Sequence, residues 1–274
     1  MIMGEDQKAR WNGDAGNAWV DGLAVIDAMF RPLEELLAGA VSVPSGGRIL
    51  DVGCGTGGTT VALARDLGAE AVGVDISEGM VEAATARAGR EGARASFLVA
   101  DAQDHPFEPG SFDAVVSRFG VMFFDDPVQA FANLRRAARD GAGLSLVVWR
   151  SPEENPFMTA AVHAALPFLP DLPLPDSGKP GQFGFADRDR VAGILADGGW
   201  SGIEITPVDV PCVLPERELD GYYTRFGHVG LALPGTDERT REKVVEAVRA
   251  AFEPFVEGAE VRYTAACWLV EARA

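Results

Sequence analysis

Residues 48–67 read RILDVGCGTGGTTVALARDL, and this stretch decides the fold. It begins with a short apolar run that contains Ile49, Leu50 and Val52, continues through four closely spaced glycines, and then repeats apolar residues at helical spacing up to Gly68. The pattern predicts a strand, a tight turn and a helix. Because glycine has no Cβ, a ligand can approach the main-chain amides at the positive end of that helix. The stretch therefore predicts a binding site for a nucleotide-like ligand.

The glycines satisfy two different binding patterns. Gly53, Gly55 and Gly58 form the GxGxxG pattern of dinucleotide sites, whose pyrophosphate needs only amides and glycines. Asp51 adds the pattern DxGxGxG, which resembles motif I of the class I S-adenosylmethionine-dependent methyltransferases. The methionyl end of that cofactor carries an ammonium, which an acid at a strand end can receive. Asp51 therefore favours S-adenosylmethionine, and the cofactor contacts predicted on this stretch are Asp51, Gly53, Cys54, Gly55, Thr56 and Gly57.

Two further acids follow the next two predicted strands. Residues 71–76 (AVGVDI) predict a second strand with Asp75 near its end, and residues 95–100 predict a third strand that Asp101 follows. An acid in the position of Asp75 holds ribose hydroxyls in both nucleotide-binding folds. The resemblance implies that Asp101 accepts from the adenine amino group, a contact that a dinucleotide enzyme does not routinely need. The cofactor contacts predicted in this region are Asp75, Ile76, Met80, Asp101, Ala102 and Gln103.

A fourth strand is predicted at residues 112–117, and the loop RFGVMFF follows it at residues 118–124. The resemblance places this loop under the methionyl moiety and beside the acceptor. It implies cofactor contacts for Ser117, Arg118 and Phe119, and an acceptor wall made by Met122, Phe123 and Phe124. Ordinary core packing of the aromatic rings remains the alternative.

Two tryptophans, Trp11 and Trp19, precede the glycine-rich stretch, and their spacing of eight residues places them near one face of a helix. They are predicted either as packing anchors of the core or as parts of a helical flap over the cofactor, since large amphipathic rings can close a site against water. Residues 1–45 are accordingly predicted to form an N-terminal helical cap, and residues 46–274 a methyltransferase domain.

The order of elements predicts an α/β fold. Five strand–helix alternations within about 100 residues are typical of a doubly wound sheet, with ligands at the carboxyl ends of the strands. The resemblance implies a Rossmann-like sheet of seven strands, mostly parallel, with an antiparallel last strand beside strand six. Two long irregular segments, at about 151–185 and 211–258, are predicted to be lid insertions that carry specificity.

A catalytic base is the least defined part of the predicted site. Methyl transfer requires alignment of donor and acceptor and exclusion of water, and a base is needed only if the acceptor must lose a proton. His163 and His228 are the candidates for that base, and Tyr222 and Tyr223 are candidates for acceptor contact. A surface or structural role for each histidine, and a site without any base, stay open.

Composition narrows the classes of partner. With 41 acidic and 24 basic residues, the chain of 274 residues has a net charge of −17, which would repel a nucleic-acid backbone. The three cysteines are far apart and lack metal-ligand spacing, so we expect no metal and free thiols in a reducing cytoplasm. Neither a signal peptide nor an apolar run of ~20 residues is present, so we expect a soluble protein without a membrane partner.

These observations predict a cytoplasmic S-adenosylmethionine-dependent methyltransferase that acts on O, N or C of a small, largely apolar acceptor. The arrangement is similar to that of the quinone C-methyltransferases and natural-product methyltransferases. Two alternatives remain. One is a nicotinamide-dependent oxidoreductase that uses GxGxxG, and the other is a non-catalytic cofactor-binding protein with the methyltransferase fold.

Overall fold

A computed structural model describes residues 4–274 and the side chains of residues 7–274, so residues 1–3 of the predicted cap lie outside the described residues. The strands are β1 (Arg48–Val52), β2 (Glu70–Asp75), β3 (Ala95–Val99), β4 (Phe112–Arg118), β5 (Ala138–Trp149), β6 (Ser201–Pro215), β7 (Val256–Glu257) and β8 (Glu260–Arg273). They form one sheet in the order β3-β2-β1-β4-β5-β8-β6, and the two-residue strand β7 pairs with β8.

Strands β1 to β5 pair in parallel, whereas β8 runs antiparallel between β5 and β6. The predicted doubly wound, mostly parallel sheet with an antiparallel last strand is therefore confirmed, with β7 as a short eighth strand. Because β2, β1 and β4 are neighbours, the loops after their carboxyl ends meet at one edge of the sheet.

The helices are α1 (Gly4–Trp11), α2 (Asp14–Asp21), α3 (Leu23–Ala40), α4 (Gly58–Leu67), α5 (Glu78–Glu91), α6 (Pro127–Ala137), α7 (Pro156–Ala165), α8 (Arg188–Asp197), α9 (Leu219–Arg225), α10 (Gly227–Ala232) and α11 (Glu238–Phe252). Ser77 and Asp187 cap α5 and α8, as their residue types favour. None of the helices within residues 4–274 is long and apolar enough to cross a bilayer.

Helix α3 contains Pro32 in its interior. A proline removes one backbone hydrogen bond and usually bends or ends a helix. The helix continues because one face packs against the sheet, and this tertiary packing outweighs the local preference. The buried residues of that face are Ile26, Met29, Phe30, Leu33 and Leu37.

Pairing within the sheet sets two element boundaries. Helix α6 ends at Ala137, because Ala138 already pairs with Phe112 in the sheet. Strand β6 continues to Pro215, because residues 211–215 pair with β8 beyond the end of β5. The second insertion therefore begins after Pro215, on a two-stranded ribbon that extends past the main sheet.

Asn155 joins the first insertion to this ribbon. Its buried side-chain nitrogen donates to the carbonyl oxygens of Ala266 at 3.0 Å and Ser151 at 3.1 Å, and its side-chain oxygen accepts from the Ala266 amide at 3.0 Å. The Ala266 amide would otherwise lack its acceptor in the buried core. This side chain therefore fixes where α7 starts relative to β8.

We expect Asn155→Ala to lower the free energy of unfolding by about 2–3 kcal/mol, because the Ala266 amide loses its acceptor inside the core. Urea denaturation followed by circular dichroism measures the change. Gln129→Ala, on the exposed face of α6, is the control and should stay within about 0.5 kcal/mol of the wild type. Equal effects of the two substitutions would show that Asn155 is not an anchor.

Candidate functional site

A cavity of about 1260 Å³ opens at the carboxyl ends of β1, β2 and β4. Ligand pockets commonly have volumes of about 300–1,000 Å³, so this cavity has room for a cofactor and a second molecule. Its lining comes from the glycine-rich loop, the loops after the neighbouring strands, the N-terminal helices and both insertions.

Asp51 lies at the base of the cavity and is almost completely buried. Thr60 Oγ1 donates to Asp51 Oδ2 at 2.6 Å. Burial raises the pKa of Asp51 to about 6, whereas the bond from Thr60 and the charge of Arg118 act in the opposite direction. A cation in the cavity would favour the ionised form of this carboxyl.

Asp75 connects the loops after β1 and β2. Its Oδ2 accepts from the Gly55 amide at 2.8 Å and its Oδ1 from the Ser77 amide at 2.9 Å. Burial raises the pKa of Asp75 despite these backbone bonds. The carboxylate thus fixes the glycine-rich loop while lining the cavity.

Two glycines of motif I serve chain packing. Gly53 has φ of +66°, and a Cβ there would lie 2.5 Å from the Cα of Gly120, so the loops after β1 and β4 touch. Gly57 has φ of +80°, and a Cβ there would lie 2.8 Å from the Cβ of Ala84 and 2.9 Å from the ring of Phe97. Gly57 does not line the cavity, so its position supports helix packing rather than the predicted cofactor contact.

The segment after β3 is fixed by side-chain bonds to backbone amides. Asp101 Oδ1 accepts from the Gln103 amide at 2.9 Å, and Gln103 Oε1 accepts from the Asp126 amide at 2.9 Å. Asn133, on α6, donates to the carbonyl oxygen of Ala102 at 3.0 Å. This segment and the start of α6 therefore form one rigid wall of the cavity.

Ser117 shapes the loop after β4 from below the cavity. Its hydroxyl donates to the Val52 carbonyl oxygen at 2.7 Å and accepts from the amides of Gly120 and Val121 at 3.2 and 3.3 Å. It is fully buried and does not line the cavity, so its position argues against the predicted direct contact.

Arg118 and Phe119 do line the cavity. The Arg118 Nε donates to Thr59 Oγ1 at 3.1 Å, and its guanidinium lies 5.7 Å from the ring centroid of Phe30. Phe119 stacks on Trp149 at 4.5 Å between ring centroids and has φ of +69°, the only positive φ at a non-glycine among residues 4–274. Such a conformation is costly for a bulky residue and is held here by the surrounding packing.

The N-terminal helices cover the cavity. Asn12 donates to the Ile76 carbonyl oxygen at 3.0 Å and accepts from the Glu78 amide at 2.9 Å, which ties the end of α1 to the loop after β2. Trp11 lies 6.1 Å from Trp19 and 5.3 Å from Phe123 between ring centroids. Both tryptophans line the cavity and also pack on other rings, so the structure combines features of the two predicted roles.

The chain was compared with known proteins. The family described as "Methyltransferase domain" matches residues 49–141. The demethylmenaquinone methyltransferase of Renibacterium salmoninarum is 30% identical over 181 residues, which cover 63% of this chain and 74% of that protein. The chain belongs to the S-adenosylmethionine-dependent methyltransferase family. The resemblance seen in the sequence is thereby confirmed.

Other relatives mark the limits of this similarity. An uncharacterized protein of Mycobacterium tuberculosis is 30% identical over 65% of this chain, and the match spans 62% of that relative's length. Among solved structures, a geranyl diphosphate methyltransferase in complex with S-adenosylmethionine has a TM-score of 0.52 at 21% identity, with 88% of this chain and 84% of that chain covered. A [4+2]-cyclase has a TM-score of 0.53 at 21% identity, with 88% and 79% covered. These structures share the fold alone.

The cavity brings together most of the site residues predicted from the sequence. Those on its lining are Trp11, Trp19, Asp51, Gly53, Cys54, Gly55, Thr56, Asp75, Ile76, Met80, Asp101, Ala102, Gln103, Arg118, Phe119, Met122, Phe123, Phe124, Tyr222, Tyr223 and His228. Gly57, Ser117 and His163 are not on it. His163 lies on the exposed face of α7, so its position argues against the predicted role as a base.

His228 and the two tyrosines line the part of the cavity formed by the second insertion. Burial, with the charge of Arg10, lowers the pKa of His228, so its imidazole is neutral at pH 7. Burial raises the pKa of Tyr222, whose hydroxyl donates to the Met158 sulfur at 3.6 Å. The histidine can therefore accept a proton, whereas the tyrosine remains a hydrogen-bond donor.

Several lining residues were not predicted, among them Gln7, Arg10, Phe30, Trp149, Phe157 and Arg225. Trp149 is the last residue of β5, and an aromatic residue at the end of a central strand was an available signal. The others belong to helices that carry no motif, and only the tertiary fold brings them to the cavity.

The raised pKa of Asp51 predicts a pH-dependent cost in stability. Between its usual value of 3.8 and about 6, the folded chain binds the proton more tightly than the unfolded chain, so stability is lost as pH rises through this window. We therefore compare the free energy of unfolding of Asp51→Asn with that of the wild type at each pH. The variant's value minus the wild-type value should be about 1 kcal/mol larger at pH 7 than at pH 5. Urea unfolding of the ligand-free proteins at several pH values tests this. The exposed Asp104→Asn is the control, and a pH-independent difference for Asp51→Asn would refute the assignment.

Proposed function

We propose that this protein transfers a methyl group from S-adenosylmethionine to a small, largely apolar acceptor. The observation that carries the proposal is one cavity whose lining combines acids at the carboxyl ends of three adjacent strands, a glycine-rich loop and a cluster of aromatic rings. In this proposal residues 1–45 form a cap, and the insertions at about 151–185 and 211–258 enclose the acceptor.

The residues present fit this cofactor. Asp51, Asp75 and Asp101 are acceptors, and an amino acid ammonium, a ribose diol and an adenine amino group are donors. Asp51 would hold the ammonium, Asp75 the ribose hydroxyls and Asp101 the adenine amino group. Met80 lies beside the loop, with its sulfur 3.8 Å from a Cβ built at Gly55, and would pack on the adenosine. When bound, the cofactor supplies a methyl group on a positively charged sulfur.

The remaining lining residues would position the acceptor and keep water out. Trp11, Trp19 and Phe123 form contiguous edge-to-face contacts on one side, and Tyr222 stacks on Phe157 at 5.6 Å on another. Aromatic walls of this kind bind apolar, flat molecules through area burial. Orientation within a dry site accounts for much of the rate enhancement that such a reaction needs.

His228 would serve as general base for an acceptor that must lose a proton. Its lowered pKa keeps the imidazole neutral, and it lines the cavity. The similarity to demethylmenaquinone methyltransferases makes a reduced quinone a suitable first acceptor to try. The atom that receives the methyl group, O, N or C, is left open by this proposal.

Calorimetric titration with S-adenosylhomocysteine, NADH and NADPH tests the cofactor. We expect S-adenosylhomocysteine to bind with a dissociation constant near the micromolar range, about −8 kcal/mol, and the nicotinamides not to bind. Asp101→Asn should weaken this binding by about 1.5–3 kcal/mol, since a bond to a charged acceptor is lost. Asp104→Asn, three residues away and exposed, should bind as the wild type does. A preference for nicotinamides would replace the proposal with an oxidoreductase.

His228 and His163 are the two residues predicted as candidates for the base, and their alanine variants form a matched pair. With labelled S-adenosylmethionine and 1,4-naphthoquinol as acceptor, we expect His228→Ala to lower kcat by about 100-fold or more and His163→Ala to leave it unchanged. The wild-type rate should rise with pH through a pKa below 6.5, because only the neutral imidazole accepts a proton. Equal rates for wild type and His228→Ala would indicate a site that works by positioning alone. Cofactor binding without turnover of any acceptor would favour the non-catalytic alternative.

A further inference from the structure

Acidic and basic residues of the cavity lining are concentrated in different places. Asp51, Asp75 and Asp101 lie at or just beyond the carboxyl ends of β1, β2 and β3, at the proposed cofactor end. Asp125 belongs to the same wall, because the backbone amide of its neighbour Asp126 donates to Gln103 Oε1. The other acid on the lining, Asp176, pairs with Lys179 at 3.1 Å.

Two basic side chains of the lining lie near acids, because Arg118 is close to Asp51 and Lys179 pairs with Asp176. The other basic side chains on the lining cluster at a different place. Arg10 comes from α1, Arg225 ends α9 and His228 lies in the first turn of α10. Arg10 is close enough to His228 for its charge to contribute to the lowered pKa of that imidazole. Within residues 7–274, no acidic residue of α9 or α10 lines the cavity.

Aromatic contacts join these basic groups into one wall. The Arg10 guanidinium carbon lies 5.7 Å from the ring centroid of its neighbour Trp11. Trp11 contacts Trp19, and Trp19 contacts Phe226 with 6.3 Å between ring centroids. Phe226 directly follows Arg225. The guanidinium groups of α1 and α9 therefore border one continuous apolar surface.

Gln7 adds an unused polar atom to the same region. Its Oε1 is buried and has no hydrogen-bond partner among the described residues, and the side chain lines the cavity one helical turn before Arg10. A buried amide without a partner is costly, so a polar group of a bound molecule would satisfy it. An acceptor that is apolar throughout would leave it unsatisfied.

The net charge of the chain makes this basic cluster informative. At −17, the protein as a whole repels anions. Two arginines nevertheless line this aromatic wall, and a guanidinium offers planar, bidentate donors to a carboxylate or phosphate. An acceptor without charge would gain less from these donors than an anionic one.

We infer that the acceptor is an aromatic or otherwise apolar molecule with one anionic group, a carboxylate or a phosphate. Arg10 and Arg225 bind the anionic group, and the tryptophan wall, formed by Trp11 and Trp19, holds the apolar body. This inference rests on the proposed function and narrows its acceptor class. The Gln7 side chain bonds to the same end of the molecule. Its oxygen accepts from a hydroxyl there or, with the amide turned, its NH2 group donates to the anionic group.

Calorimetry with protein saturated with S-adenosylhomocysteine tests the inference. The probes are 2-naphthoate, 2-naphthyl phosphate and the uncharged 2-naphthol, which share one apolar body. We expect at least one anionic probe to bind about tenfold or more tightly than 2-naphthol, and the stronger of the two identifies the anionic group. Arg10→Gln and Arg225→Gln should each remove most of that preference. Arg239→Gln, an exposed arginine on α11, should retain it.

Salt provides a measurement that needs no variant. The preference of the wild type for the anionic probe should shrink between 50 and 500 mM NaCl, while binding of 2-naphthol stays constant. Equal affinity for charged and uncharged probes, or binding of none of them to the loaded protein, overturns the inference and leaves the proposed function standing. Failure of S-adenosylhomocysteine itself to bind refutes the proposed function, and the inference falls with it.

Discussion

The carboxylate of Asp75 is the interaction on which the rest of the site depends. It accepts from the Gly55 amide on one side and the Ser77 amide on the other, and thus joins the loops after β1 and β2 into one unit. Ser77 in turn caps α5, and Asn12 bonds to the backbone of residues 76 and 78, so the N-terminal helices rest on the same loop. Because each contact uses backbone groups that need a partner, the floor and the cover of the cavity are positioned together.

Burial of charge is the second constraint on this site. Arg118 lies close enough to Asp51 and Glu34 to lower the pKa of both carboxyls, and burial is the largest cause of the pKa shift in all three groups. Arg87, itself buried, is paired with Asp27 of α3 directly behind Gly58. Buried ion pairs contribute little net stability, because desolvation offsets their attraction, but removal of one partner is costly. The network therefore specifies how α3 and α5 sit on the glycine-rich loop more than it stabilises the fold.

Features that depend on interactions between residues close in sequence were predictable, and features that depend on tertiary contacts were not. The alternation of strands and helices, the motif I loop and the acids at three strand ends were predictable, since local residue patterns determine each of them. The antiparallel last strand followed only from the family resemblance. The second insertion was predicted to begin at about residue 211, whereas β6 continues to Pro215, because pairing with β8 outweighed local preference. Ser117 illustrates the limit at single residues, because the family pattern places the loop correctly but does not show which side chains face inward.

The two ends of the cavity differ in how their lining residues are positioned. At the cofactor end, backbone turns and strand ends position the polar groups, and such geometry follows from the fold. At the other end, side chains from α1, α2, α7, α9 and α10 meet across long separations in sequence, and any of them can change without altering the sheet. Similar folds can therefore support different reactions, as the [4+2]-cyclase at 21% identity demonstrates. In the proposed function, charge and shape at the wall formed by Trp11 and Trp19 select the acceptor, because side chains from separate helices line that end of the cavity.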